Sequence, residues 1–132
     1  MTELPRRCLE SLLAEGLRVE EWSDGTLCTA FDVAGATWRV HYRHDNGWIT
    51  LYAPLLALPA PLDASLFKRL LADNVDLVFA RYAVQRGIIC LRGDISEQEF
   101  NEQEFRLVSR IAVDAVKHAI EALGLKAQVE HS

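Results

Sequence analysis

Four histidines, three cysteines and a run of glutamates are the reactive side chains of this 132-residue sequence, and their spacing argues against most of the chemistry they might do. His41 and His44 are three apart in an alternating segment, and alternation sends i and i+3 to opposite faces of a strand. His118 and His131 have no cysteine or carboxylate at ligand spacing, so surface histidines are the simpler reading. Glu97, Glu99, Glu102 and Glu104 have the composition of a cation site. They fall in the opening turns of a long helical pattern, however, where carboxylates complement the helix dipole. No serine stands in a G-x-S-x-G setting, no cysteine has a histidine partner in the sequence, and no glycine-rich phosphate loop occurs. Cys8, Cys28 and Cys90 are far apart and have apolar neighbours, the pattern of buried free thiols in a reducing compartment. The expectation is a chain that is not an enzyme and carries neither metal nor cofactor.

One polar cluster stands out. Arg39, His41 and Arg43 share a strand face, and Arg81 falls across from Arg92 on a later hairpin. Gathered on an open sheet face, they suit an acidic ligand or an acidic peptide, and the alternative function they suggest is a small-molecule or acidic-ligand sensor or regulator. The competing reading is a solvated face balanced by Asp32, Asp45 and Asp94.

The elements that would position these groups follow from pattern. Half the residues are hydrophobic and a quarter charged, an ordinary balance for one globular domain. A net charge of −5 repels the phosphate backbone, so any nucleic-acid association would run through a second protein. The first residues lack the apolar core of a signal peptide, and no stretch approaches the roughly 20 apolar residues of a membrane span. A cytoplasmic protein without membrane contact is expected. Pro5 opens a short helix with Cys8, Leu9, Leu12 and Leu13 on one face, ended by Gly16. Leu17 to Trp22 leads out in extended form to an Asp24-Gly25 turn. Strands are predicted at 26–33, 37–43 and 48–56, joined through Ala34-Gly35 and Asp45-Asn46-Gly47 as an antiparallel meander. After the Leu58-Pro59-Ala60-Pro61 loop, Asp63 caps a second helix bearing Leu66, Phe67, Leu70 and Leu71. Strands at 77–84 and 88–94 follow. The pattern then predicts a helix of roughly 40 Å from a Ser96 cap, with Glu99 completing a capping box, to Gly124. The α-β-β-β-α-β-β-α order makes an α+β fold: five mainly antiparallel strands with helices packed on one face, a single domain over 1–124 and a flexible tail over 125–132.

This order resembles the YbjN family and the class I type III secretion chaperones over nearly the whole chain. The residues that carry the likeness are Leu12 to Gly16 at the end of helix 1, the Asp24-Gly25 turn and Leu70-Leu71-x-x-Asn74 closing helix 2. To these are added the hairpin Phe79 to Leu91 and the Asp94-Ile95-Ser96 entry to the last helix. The resemblance implies a non-enzymatic homodimer that holds a specific client protein. It assigns Leu66, Phe67, Leu70, Leu71 and Val75 to the two-fold interface, and Leu9, Leu12, Leu13, Trp38 and Tyr42 to client contact. Core packing competes with every one of these assignments. Met1 is the sole methionine, which argues for one defined partner over many.

Overall fold

The computed structural model describes residues 3–59, 61, 63–77 and 79–129. Leu4, Cys8, Ser11 and Leu12 recur at helical spacing and form the buried face of α1 (Glu3–Ala14). The next strands are β1 (Arg18–Glu21), β2 (Leu27–Val33), β3 (Ala36–Asp45) and β4 (Trp48–Ala57). Helix α2 (Ala64–Asp73) leads to the hairpin of β5 (Arg81–Gln85) and β6 (Ile88–Ser96), and α3 (Glu102–Leu123) follows. The strands form one antiparallel sheet in the order β1-β2-β3-β4-β6-β5. It has six strands where pattern predicts five. The extended lead after α1 is itself a strand, with Arg18 opposite Ala30 and Glu21 opposite Leu27. The β3–β4 turn has positive φ at both Asn46 (51°) and Gly47 (81°), the geometry an Asn-Gly hairpin supplies. The hairpin after α2 starts later than predicted, at Arg81 rather than Leu77, because Phe79 takes a left-handed φ of 70° that breaks the strand; Val78 lies outside the described residues.

Register sorts the side chains. Trp38, Val40 and Tyr42 of β3 stand beside Phe31, Thr29 and Leu27 of β2 on one face. Helix α3 covers that face, and the Phe105 ring meets Tyr42 edge-on at 5.5 Å. Arg39, His41, Arg43, Tyr52 and Arg92 fall on the opposite face. The cap of the long helix lies five residues later than predicted. Ser96 caps only a short 3-10 turn over Glu97–Glu99. Extended backbone at Phe100 then sets its ring against Phe105 at 5.4 Å. The cap of α3 is Asn101, whose Oδ1 accepts from the Glu104 N–H at 3.1 Å. Gly124 closes the helix at a φ of 64°, as predicted. Its 22 residues span about 33 Å. Ion pairs tie α1 to α3. Arg7 meets Glu102 at 2.7 Å, and Glu15 accepts from Arg106 at 3.1 Å and Arg110 at 2.6 Å.

Beyond α3, residues 125–129 of the segment expected to be a tail make contacts with the fold. Leu125 packs against the core. Continuing the β3–β4 register past the His41–Tyr52 pair puts Pro54 opposite Arg39, and proline has no N–H to give the ladder. Gln128 fills the gap. Its Oε1 accepts from the Arg39 N–H at 2.8 Å, and its Nε2 donates to the carbonyls of Arg39 (2.8 Å) and Pro54 (3.0 Å). Residues 130–132, with His131, lie outside the described residues.

Candidate functional site

The strongest candidate surface begins with a cap. Asp63 Oδ1 accepts from the Leu66 N–H at 3.1 Å and starts α2. Of this helix only Leu70 is buried; Leu66 and Phe67 are half-buried. Leu71 is 69% exposed, and Val75, in the turn that follows, is 82% exposed. Between α2 and β5 runs a groove of about 280 Å³ lined by Phe67, Leu70, Leu71, Tyr82 and Val84. Strand β5 is the edge of the sheet, and Asn74 guards part of that edge. Its Oδ1 accepts from the Tyr82 N–H at 2.7 Å and its Nδ2 donates to the Tyr82 carbonyl at 3.3 Å. A side-chain amide thus occupies the position where an added strand would pair.

The residues assigned to client contact divide. Leu12 and Trp38 have no exposed surface and Tyr42 almost none, because all three point into the layer between sheet and helices. They belong to the core and have no surface to offer a partner. Burial pushes the Tyr42 phenol up to about 12. Leu13, 55% exposed, and half-buried Leu9 remain available on α1.

On the arginine face, Arg39, Arg43 and Arg92 stand beside carboxylates. A cavity of about 280 Å³ on the uncovered side of the sheet is lined by Trp22, His41, Arg43, Tyr52 and Arg92, among others. Arg39 forks onto Glu20 at 2.7 and 3.1 Å and holds its carboxyl below the usual range. Arg43 lies 4.0 Å from Asp24. Arg92 stands opposite Arg81, bonds Gln85 at 2.8 Å and approaches Asp94 at 3.6 Å. Arg81 donates to the carbonyls of Leu77 and Ala80.

The fold also supplies a cysteine–histidine contact that sequence spacing conceals. Cys28 Sγ lies 3.2 Å from His41 Nδ1, because register puts the two opposite each other on β2 and β3. Trp22 covers the imidazole edge-on at 5.0 Å. Desolvation pushes the fully buried thiol up to about 12, which favours its neutral form. His44 Nε2 meets Glu97 at 3.3 Å, and His118 is exposed on α3. Among the described residues no three histidine, cysteine or acidic side chains come together to hold a metal ion.

A chain of the ExsC–ExsE complex superposes on this one with a TM-score of 0.66 at 16% identity, covering 92% of this chain and 94% of that one. YbjN from E. coli gives 0.64 at 14% identity, over 98% and 99% of the two chains. The type III secretion chaperone SycH of Yersinia pestis, in complex with a fragment of YscM2, gives 0.59 at 18% identity over 92% and 98%. The fold is that of YbjN and the type III secretion chaperones. At these identities the likeness is one of fold. No known family's sequence profile matches the chain, and no curated protein sequence matches it.

Sequence reasoning misses a second apolar cleft in this chaperone-like fold. It lies where β4 begins and β6 runs on towards α3, with a volume of about 290 Å³. Trp48 and Phe79 form its exposed walls, and Ile95, Phe105 and Val108 line it more deeply. A bulky residue in left-handed backbone is disfavoured by about 1–2 kcal/mol, and Phe79 is such a residue. Gly93 permits that conformation. A Cβ there would stand 2.5 Å from the Phe79 carbonyl oxygen. The sequence signal was slight: an aromatic directly after the Asn46-Gly47 turn, at the first position of a strand.

Proposed function

We propose that this chain is a non-enzymatic, chaperone-like module that works as a homodimer and holds a specific partner protein by burying the partner's apolar surface. The observation that carries the reading is the uncovered apolar face of α2 and β5, where Leu71, Val75 and Val84 stand largely in solvent beside half-buried Phe67. Apolar surface gathered on one face marks a protein contact site more often than it marks chance. The proposed two-fold seam keeps Leu66, Phe67, Leu71 and Val75, with Leu70 supporting them from beneath. The Asn74 amide on Tyr82 favours a seam of interlocking side chains over a continuous sheet through β5. Leu9 and Leu13 on α1 are retained as partner-contacting residues.

Similarity to the SycH–YscM2 and HopA1–SchA complexes, the latter described as chaperone and effector, supports protein holding over ligand sensing. The pairing of Arg39, Arg43 and Arg92 with acidic neighbours supports it further. Three buried free cysteines fit a cytoplasmic setting, and among the described residues no helix is long and apolar enough to cross a membrane.

The test is light scattering on wild type and on a Leu71→Glu, Val75→Glu double variant. Both positions are exposed, so the fold should survive the charges. The expected outcome is a dimeric wild type and a folded monomeric variant. A wild type that stays monomeric at tens of micromolar, or a variant that still dimerises, overturns the seam. For holding, affinity capture from source cells should return one protein in stoichiometric amount without ATP. Capture that requires nucleotide, or returns nothing, overturns that part.

A further inference from the structure

We propose that the cleft between Trp48 and Phe79 docks a partner segment carrying an aromatic or branched aliphatic anchor flanked by lysine or arginine. This rests on the protein-holding reading and names the chemistry of what is held.

Three observations converge. Trp48 and Phe79 are 49% and 48% exposed, an arrangement that folding alone does not reward. Large aromatics at the mouth of a cleft are the residue types that dominate protein contact energies. Phe79 is also held in a backbone conformation that glycine would adopt freely, with room made for it by Gly93. A residue kept in disfavoured backbone while half its ring stays in water points to a use outside the folded chain.

Charge then selects the occupant. Glu99 and Glu104 line the cleft, and neither joins an ion pair among the described residues. The other acidic lining residue, Asp94, is shared between Arg92 and the Thr50 hydroxyl. Among the described residues no lysine or arginine lines the site. An acidic rim around an apolar floor attracts a basic, greasy segment and repels an acidic one. The same rim repels any acidic segment, so the acidic stretches of a second copy of this chain are poor occupants.

The experiment measures fluorescence anisotropy of three short labelled peptides against the full chain. One alternates lysine with leucine and phenylalanine, the second replaces each lysine with glutamate, and the third replaces the apolar residues with serine. The first should bind, with the other two weaker by about tenfold or more. Trp48→Ala should weaken the first peptide about tenfold. Glu99→Gln with Glu104→Gln should weaken it about threefold to tenfold and flatten its salt dependence. Phe79→Gly should lose about tenfold in affinity while its melting temperature stays level or rises, because glycine relieves the left-handed backbone. A merely structural role for Phe79 would move the two readouts together. The Leu71→Glu, Val75→Glu variant should bind as wild type does. Failure of the first peptide to bind, equal binding of the glutamate peptide, or undiminished binding by Trp48→Ala or Phe79→Gly overturns the assignment. If Trp48→Ala still retains a protein partner from cells, the cleft is wrong and the holding function stands. If wild type retains none, the holding function itself fails.

Discussion

Helices α2 and α3 carry the same kind of amphipathic pattern and end in opposite situations. Helix α3 buries nine of its residues against the sheet and α1, while α2 buries Leu70 alone. Part of the reason is side-chain size. Ser109, Ala112, Ala115 and Ala119 let α3 lie close on the sheet. The capped ends match in quality, Asn101 on one helix and Asp63 on the other. The lesson is that an apolar stripe tells which face wants cover, and only the tertiary arrangement tells whether the chain provides it.

The comparison is most exposed to failure in the core. Phe105→Ala should lower unfolding free energy by about 3–5 kcal/mol in urea titrations. Leu71→Ala, measured at a concentration where light scattering shows the chain to be monomeric, should change it by no more than about 0.5 kcal/mol. Equal losses would mean that α2 is as much core as α3. The tail is the next test. Gln128→Ala leaves one N–H and two carbonyls without their partner and should cost about 1–3 kcal/mol by the same titration. Removing caps gives a finer contrast. Asn101→Ala should reduce global stability by about 1 kcal/mol, whereas Asp63→Ala should fray α2 locally, seen as faster amide exchange over Leu66 to Leu70.

The smallest effect is the pH response. Arg106 and Arg110 hold the Glu15 carboxyl below its ordinary range, and Arg39 does the same for Glu20. The unfolded chain therefore binds protons at these carboxyls before the folded one does. Their contribution is full above the unfolded carboxylate value and is lost as pH falls through the lower, folded one. Stability should decline between about pH 5 and pH 3, and Glu15→Gln should flatten that decline in thermal melts. An unchanged slope would show that the α1–α3 ion pairs are ornamental.

Much of the architecture could be read from residues. Turn glycines, the Asn46-Gly47 hairpin and the Gly124 stop are local signals with local causes, and the α+β order follows from them. The start of α3 is ambiguous in the sequence because Ser96-x-x-Glu99 and Asn101-x-x-Glu104 both satisfy a cap rule, and the packing of Phe100 on Phe105 decides between them. Strand β1 reads as extended but not as paired, since Arg18-Val19-Glu20-Glu21 has little apolar alternation. The surfaces were harder to read. Trp38 and Tyr42 fit core and contact equally well by type, and register alone commits them to the core. Nothing in the sequence betrays the positive φ of Phe79, which depends on Gly93 fourteen residues further along.

Two carboxamides, Asn74 at Tyr82 and Gln128 at Arg39, each grip a single strand residue by both its backbone groups. The second joins positions 89 apart, so the amide proton of Arg39 is a gauge of whether the segment around Gln128 is seated. Shortening the protein at Gly124, an obvious choice for anyone trimming it to its last helix, would let water into the seam beside Pro54. Deuterium would then reach that one proton ahead of its neighbours on the strand.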